Sequence, residues 1–598
     1  SSPEAMLDPR VYRAGLVPLL IAVAVVAFSL IDRPRPVGTT LAADAFNEVR
    51  AFDGLQDLAE RFPARRPGSE GDEALAEEVA GEFEELGFRV RTTTQEGETV
   101  AGERPVTNVI AERTGTRDER IVIVAHRDAV RPGSPAELSA TAGLLELARV
   151  YSAPRRTSRT LTLVSTSGGT GGSAGAARLA EELEPASEIA GVLVLGDLAS
   201  SEVHTEPLVV PWNNDLGQAP LQLRRTAEDA VRAETGLEPR GPRALVQMAR
   251  LALPFTTAGQ GVLLADGLPA VTLSVRGEQL APADASVSEE RLGTMGRAAL
   301  RTLTALDNGP SLAAPATSDV LTARKVLPGW TIRLLAGALL LPLLLVVIDA
   351  AARARRRREP LLPWVRWTLA TALPFAAAAL LAVVMAFTGL LPAAPGAPAP
   401  PTALPLQAAG AVALLATALA FVLGWLGLRP LALRSLRGRG LDRRSPGAAI
   451  GLMLVLCMAM VVTWVLNPFA ALVLAPAAHL WLLAVSPDMR LPRPAGLALL
   501  LAGLLPAGVL LAYVALALGI GPLELGWTLL LWVAGGHLGV FAVALGTVLA
   551  GCAAAVTLTV MRGHSQQPGQ ESDSLASVRG PISYAGPGSL GGTRSALR

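Results

Sequence analysis

A histidine and an aspartate stand two residues apart in the first half of the chain, directly after a strongly apolar run. Residues 121–125 read IVIVA, and His126, Arg127 and Asp128 follow. A histidine and a carboxylate at this spacing are typical of a plain hydrogen-bonded pair at the end of a strand. They also place two polar side chains where functional sites form in such sheets, so the pair alone does not decide its role.

Two more apolar runs lead to residues that are suited to the same site. Residues 161–165 (LTLVS) precede a Gly-rich segment at 168–173, and residues 191–195 (GVLVL) lead to Asp197. Short, continuously apolar runs are typical of parallel strands buried on both faces, and the carboxyl ends of such strands form the ligand-binding edge of a sheet. We therefore expect His126, the Gly-rich segment and Asp197 to converge.

The elements that would position these residues alternate between helix and strand. Residues 42–310 combine apolar positions at helical spacing with a fourth strand-like run at 270–275. The predicted helices cover 72–86, 139–151, 173–184, 220–235 and 289–306. This alternation predicts an α/β domain with a mostly parallel central sheet flanked by helices. The two cysteines of the chain, Cys457 and Cys552, lie outside the domain, so no disulfide stabilises it.

Apolar runs of membrane-spanning length lie on both sides of this domain. Residues 15–31 predict a transmembrane anchor behind a cytoplasmic N-terminus at 1–14, because no small-residue cleavage site follows them. Residues 329–561 predict an all-α bundle of about seven transmembrane helices. The predicted spans are 329–350, 364–390, 405–428, 447–466, 468–486, 495–519 and 525–561. The last is long enough for one tilted helix or for a helix plus a re-entrant piece, and residues 565–598 predict a disordered tail.

The arginines of the short loops predict the orientation of the chain in the lipid bilayer. Arg-rich loops lie at 353–358 and 429–444, whereas the loop at 391–404 is uncharged. Positively charged loops are typical of the cytoplasmic side. This places both termini in the cytoplasm and residues 42–310 outside it, in a multi-pass protein of the cell membrane. Within the spans, we interpret His479 and His537 as hydrogen-bonding groups between helices rather than as a proton pathway.

Seven segments between residues 50 and 306 occur in the order and spacing of a known enzyme family. They read RRPGSEGDEA (65–74), TNVIAERTGT (107–116), IVIVAHRDAV (121–130), AGLLELARVY (142–151), RTLTLVSTSGG (159–169), GVLVLGDLAS (191–200) and LLADGLPAVTLSV (263–275). In these segments the chain resembles the zinc aminopeptidases of peptidase family M28, whose relatives include glutamate carboxypeptidase II and the glutaminyl cyclases. The resemblance implies a zinc-aminopeptidase-like fold for the domain.

The resemblance also implies where a catalytic centre would lie. Members of the family hold two zinc ions with His, a bridging Asp, Glu, Asp and a second His, and a further Glu is the general base. The matching positions that keep family residues are His126 and Asp197, with Asp128 as the carboxylate beside the histidine. The matching positions that have lost them are Ala136 for the bridging Asp, Gly169 for the general base, Thr170 for a Glu ligand and Leu280 for the second His.

A centre with these losses is degenerate, because two ligands cannot hold two zinc ions. The resemblance therefore implies that the domain has no catalytic residue and needs no metal or other cofactor. One weakly bound zinc ion would need Glu137 or His204 as an additional ligand. We expect Asp128, Glu137, Gly168 and Asp284 to line or support the cleft around the lost centre.

These features favour a membrane-anchored, aminopeptidase-like pseudoenzyme that binds a polypeptide or partner protein in its cleft without hydrolysis. Two alternatives stay open: an active zinc aminopeptidase with an unusual ligand set, and a transporter-like or scaffolding bundle with an accessory domain. The layout is similar to that of the attachment subunit of the eukaryotic GPI transamidase, although the Arg- and Ala-rich composition is typical of bacterial chains. The net charge of +1 gives no indication of a nucleic-acid partner.

Single cysteines test the predicted orientation in a chain whose Cys457 and Cys552 are replaced by Ala. Thr235→Cys, in the predicted outer domain, should react with an impermeant thiol reagent on intact cells. Gly440→Cys, in a predicted cytoplasmic loop, should react only after lysis, because positively charged loops stay inside. If only Gly440→Cys were labelled on intact cells, the true topology would be the inverse of the predicted one.

Overall fold

The computed structural model of the chain describes residues 9–39, 43–130, 134–152, 157–183, 186–201, 208–237, 239, 243–312, 314–436, 446–489 and 491–562. The first segments are helix α1 (Pro9–Phe28) and strand β1 (Ile31–Asp32). The soluble domain follows, with α2 (Glu48–Arg61), α3 (Glu70–Glu85), β2 (Arg89–Thr99), β3 (Gly102–Arg113), β4 (Arg117–His126), α4 (Pro135–Ser152), β5 (Arg159–Thr166), α5 (Ala174–Glu182), β6 (Ile189–Leu195), β7 (Val209–Val210), α6 (Leu221–Thr235), α7 (Ala244–Ala252), α8 (Gln260–Ala265), β8 (Ala270–Leu273) and α9 (Glu289–Asn308).

Two short strands, β9 (Val320–Leu321) and β10 (Lys325–Leu327), lead into the C-terminal half. Its helices are α10 (Gly329–Arg356), α11 (Leu362–Ala370), α12 (Leu373–Phe387), α13 (Ala408–Leu423), α14 (Arg429–Ala432), α15 (Pro446–Leu466), α16 (Pro468–Val485), α17 (Arg493–Leu518), α18 (Pro522–Ala534) and α19 (Val540–Arg562). His204, most of the Arg-rich loop at 429–444 and the tail at 565–598 lie outside the described residues.

A seven-stranded sheet forms the centre of the soluble domain, with the order β2-β3-β5-β4-β6-β8-β7. The adjacent strands β5, β4, β6 and β8 are parallel. Strands β2, β3 and β7 join this centre in antiparallel pairings. The predicted parallel strands are therefore the buried middle of the sheet, and the complete sheet is mixed.

The β2–β3 hairpin is the main element that the sequence pattern did not predict. Strand β2 reads RVRTTTQEGET, and only Gly97 and Thr99 in it are buried. It lies at the edge of the sheet, where burial does not impose an alternation of apolar and polar residues. The five predicted helices, by contrast, correspond to α3, α4, α5, α6 and α9, because each has an apolar face on the domain core.

Among the residues that the structure describes, seven helices are long and apolar enough to cross a membrane, and a bent pair would make an eighth. The bent pair, α11 and α12, occupies the predicted span 364–390, and its two helices meet at an angle of 41°. The last predicted span, 525–561, is divided into the short α18 and the long α19. His537 lies in the turn between them rather than inside a membrane helix.

Helix α18 lies along the end of the bundle that faces the soluble domain. Trp527 Nε1, in its first half, donates a hydrogen bond of 3.0 Å to the carbonyl oxygen of Leu404. At its other end, a Cβ atom on Gly535 would lie 2.9 Å from the side chain of Ala394. Both contacts are made with the same loop, at 388–407, so α18 does not run from one end of the bundle to the other.

The N-terminal helix α1 packs along α10. A Cβ atom on Gly15 would lie 2.6 Å from the Cα atom of Pro342, so the two helices are in backbone contact. The hydroxyl of Tyr12 is 2.9 Å from Nδ1 of His479, whose Nε2 is 3.0 Å from the carbonyl oxygen of Leu339. His479 therefore links α1, α10 and α16 by hydrogen bonds, which is the structural role expected from the sequence.

The soluble domain rests on one end of the bundle. Gly396 donates its N–H to the carbonyl oxygen of Glu98, and Asn467 Nδ2 donates to that of Leu251 at 2.8 Å. Gln279 Nε2 lies 3.3 Å from the carbonyl oxygen of Ala517. Along the chain, the bundle turns that contact the soluble domain alternate with the turns that contain the arginines.

Arg250 of α7 is buried at the centre of this contact. Its guanidinium lies 4.1 Å from the ring centroid of Phe255 and forms an ion pair with Glu278. Its Nε donates a hydrogen bond of 3.0 Å to the hydroxyl of Tyr513 in α17. One side chain of the soluble domain thus contacts both a membrane helix and the segment that carries Leu280.

Gly15→Val should lower the thermal midpoint of the detergent-solubilised protein, because the new side chain would push α1 away from α10. Overpacking of this kind costs about 1–3 kcal/mol. The matched control is Gly508→Val in α17, where a Cβ atom meets nothing within 4 Å. Equal midpoints for the two variants would contradict the packing of α1 on α10.

Candidate functional site

His126 is the last residue of β4 and lies at the carboxyl edge of the sheet, beside the ends of β5, β6 and β8. His126, Gly169 and Asp197 line one cavity there, so the predicted convergence is observed. Burial lowers the pKa of the His126 imidazole, and the nearby charge of Arg65 acts in the same direction. The ring is therefore neutral at neutral pH. Its Nε2 atom is buried and has no hydrogen-bond partner within the described part of the chain.

Two buried arginines, Arg65 and Arg127, stabilise this edge of the sheet through ion pairs and hydrogen bonds. Arg127 Nε lies 2.9 Å from a carboxylate oxygen of Asp72, and Arg127 also donates to the carbonyl oxygen of Ser165. Arg65 donates to the carbonyl oxygens of Arg127, at 3.1 Å, and Ser134, at 2.6 Å. Arg65 and Asp72 therefore have a structural role, because they link α3 and its preceding loop to the end of β4.

Asp128 is bound by the Gly-rich loop and not by His126. One carboxylate oxygen accepts the N–H of Gly169 at 2.7 Å. The other accepts the N–H of Thr170 at 3.1 Å and the Thr170 hydroxyl. In the described structure the carboxylate that was expected to orient the imidazole instead anchors the Gly-rich loop.

Gly169 packs directly against His126. A Cβ atom built on Gly169 would lie 2.2 Å from His126 Cβ and 2.7 Å from Cγ. The preceding Gly168 has a φ of +72°, a left-handed conformation that glycine adopts without strain and that turns the loop toward the ring. In this conformation no side chain fits at position 169, which the resemblance predicted to correspond to the general base.

Asp197 follows β6 and caps the turn after it. One carboxylate oxygen accepts the N–H groups of Ala199, at 3.0 Å, and Ser200, at 2.9 Å. The other accepts the Ser200 hydroxyl, and Ser139 Oγ lies 3.4 Å from the first oxygen. Burial raises the pKa of the Asp197 carboxyl, and the hydrogen bonds from Ser200 oppose that shift. Asp197 is therefore already bound by neighbouring groups.

The remaining predicted site residues are divided between the cleft and its surroundings. Ala136 is buried in the first turn of α4, and Leu280 lines the cleft beside His126. Glu137 also lines the cleft, and its carboxylate lies 3.9 Å from the Arg65 guanidinium. Asp284 is exposed and does not line the cleft, because the turn that begins at Pro282 directs it to the surface.

The cleft is narrow and is partly covered by the bundle. Its cavity has a volume of about 60 Å³ and is lined by the backbone of Gly169, Gly196 and Gly277. Pro400, from the loop at 388–407, closes one side. In the same loop, Pro395 contacts the Gly-rich segment: a Cβ atom on Gly172 would lie 2.2 Å from its Cβ. The sequence pattern did not indicate that the loop at 388–407 covers the cleft, because this contact joins segments that are far apart in the chain.

These residues are not arranged to bind two zinc ions, as members of peptidase family M28 do. Across the described residues, no three side chains of His, Cys, Asp or Glu are placed to hold one metal ion together. Asp197 already accepts hydrogen bonds at both oxygens, and Ala136, Gly169 and Leu280 offer no donor atom from their side chains. The arrangement leaves Nε2 of His126 available for a hydrogen bond to a ligand.

Gly169→Glu should destabilise the protein, because its Cβ would overlap His126. A loss of about 1–3 kcal/mol is expected from overpacking. The control Gly81→Glu, in α3, has nothing within 4 Å of its new Cβ and should be tolerated. Adding His126→Gly removes the overlapping atoms, so it should recover part of the thermal midpoint lost by Gly169→Glu. Purely additive effects would show that the two residues are not in contact.

The buried His126 should make the protein less stable as the pH falls. The unfolded chain protonates this histidine near its ordinary pKa of 6.5, whereas the folded chain, with its lowered pKa, does not. Stability is therefore lost below pH 6.5, by at most about 1.4 kcal/mol per pH unit from this group. The thermal midpoint should fall less between pH 7.5 and 5.5 in His126→Asn than in the unmodified chain. An equal fall would show that the ring titrates normally.

The comparisons with known proteins concern the soluble domain. Residues 108–232 match the model of peptidase family M28. No curated protein matches the chain. Similar solved structures include a glutaminyl cyclase from Porphyromonas gingivalis, with 17% identity and a TM-score of 0.34. The match covers 44% of this chain and 98% of the cyclase chain. The zinc aminopeptidase BSAP from Bacillus subtilis has 11% identity and a TM-score of 0.35. The match covers 45% of this chain and 99% of the BSAP chain.

The segment matched by the family model contains His126, the Gly-rich loop and Asp197, and it runs from β3 into α6. It lies entirely within the domain between α1 and α10. The chain thus carries a peptidase family M28-like domain with a mixed central sheet, joined to several long apolar helices that are able to span a membrane.

Proposed function

We propose that the M28-like domain is a pseudoenzyme that binds a polypeptide outside the cytoplasm without hydrolysing it. The observation that carries this proposal is the closure of the Gly-rich loop on His126 and Asp128. Gly169 leaves no space for a general base, and Gly169 and Thr170 occupy the carboxylate of Asp128. Hydrolysis by this family's chemistry needs a metal-bound water and a base beside it, and the site supplies neither.

The groups that remain in the cleft suit the recognition of a peptide main chain. The neutral His126 offers a buried Nε2 atom, and glycine backbone lines the walls. An extended peptide is bound mainly through its own N–H and carbonyl groups, which backbone walls can pair without a charged partner. The narrow cavity favours a single extended strand over a bulky partner.

Metal content and hydrolysis test the loss of catalysis. Protein purified without chelators should contain well under one zinc ion per chain. Its hydrolysis of aminoacyl amides should not exceed that of the His126→Ala and Asp197→Ala variants, because neither residue serves catalysis. A metal-dependent activity that either substitution abolishes would favour the alternative of an active zinc aminopeptidase with an unusual ligand set.

Photocrosslinking in intact cells tests binding. A p-benzoylphenylalanine in place of Leu280, inside the cleft, should capture a specific polypeptide. The matched control is the same replacement of Leu245 on α7, whose side chain is 78% exposed. Capture at both positions alike, or at neither, would contradict the proposed binding function.

A further inference from the structure

A second, larger cavity lies where the soluble domain meets the bundle. It has a volume of about 380 Å³ and is bounded by the segment 276–282 on the soluble side and by segments 400–406 and 518–528 on the bundle side. We infer that this cavity holds the extracytoplasmic juxtamembrane segment of a membrane-anchored polypeptide, whose next residues lie in the cleft. The inference rests on the proposed function and names the class of polypeptide that the cleft receives.

The two cavities are adjacent. Glu137, Glu278, Leu280 and Pro400 line both of them. A chain that lies in the cleft beside His126 would therefore have to pass only these shared residues to enter the larger cavity. The combined space has the size of a peptide-binding site and is too small for a folded partner domain.

The outer end of the larger cavity opens at the level where two membrane helices end. Gly519 follows the last residue of α17, and Leu406 precedes the first turn of α13. Pro405, Gly519 and Glu524 at this rim are exposed, whereas Trp527 on the inner wall is buried. Because α13 and α17 are long and apolar enough to cross a membrane, a ligand that passes this rim would reach the level at which these helices enter the bilayer.

The walls of the larger cavity combine polar and apolar groups. Glu137, Arg276 and Glu524 line it together with Ile520 and Trp527. The segment of a polypeptide that leaves the bilayer is amphipathic in the same way, because it joins an apolar span to polar residues.

Photoreactive residues at two points of the path test the inference. Each of Leu280, in the cleft, and Ile520, at the membrane end, is replaced by p-benzoylphenylalanine in the full chain, and crosslinks are formed in intact cells. Both positions should capture the same polypeptide, which should stay in the membrane pellet after alkaline carbonate extraction. The matched control is Leu516 on α17, which is 80% exposed and lies outside the cavity; it should capture that polypeptide at least about tenfold less.

The outcomes separate this inference from the proposed function. Capture at position 280 of a polypeptide that carbonate extracts would overturn the membrane-anchored class and leave the binding function intact. Capture at position 520 of lipid alone, with a polypeptide at 280, would do the same. No specific capture at 280 would overturn both. Thermal midpoints close to that of the unmodified chain ensure that each variant is folded.

Discussion

The buried guanidinium of Arg250 needs a counter-charge and hydrogen-bond acceptors, because an unpaired charge in such a place costs several kcal/mol. Its partners are supplied by three separate segments: the ring and carbonyl of Phe255, the carboxylate of Glu278 and the hydroxyl of Tyr513. Satisfying this one side chain therefore fixes the soluble domain on α17. It also fixes the segment from Glu278 to Leu280, which forms a wall of the cleft.

The Gly-rich loop determines the shape of the cleft as well as its chemistry. Carboxylates that face one another in a cleft repel unless a cation lies between them. With glycine at 169 the loop lies against His126, and its N–H groups donate hydrogen bonds to Asp128. The site is thus held by its own hydrogen bonds. A carboxylate introduced at position 169 would meet a closed loop, because its Cβ would overlap His126.

The sequence predicted those parts of the protein that depend on local pattern. The central strands β4, β5, β6 and β8 are continuous apolar runs, and the convergence of His126 and Asp197 follows from where such strands end. The hairpin β2–β3 escaped prediction because an edge strand needs no apolar pattern. The orientation of Asp128 and the cover by Pro395 and Pro400 also escaped it, because these contacts depend on how distant segments meet.

The pairing of β1 with β10 has a consequence for how the protein is made. Ile31 pairs with Val326, and Lys325 forms an ion pair with Asp32, so the entrance and exit of the soluble domain form one neck. Ribosomes make α1 first and α10 only after the whole soluble domain has been synthesised. Until then, helix α1 has no α10 to pack against, and Tyr12 lacks His479. Once β10 pairs with β1, the two ends of the soluble domain are held together, so the domain becomes a closed loop of the chain.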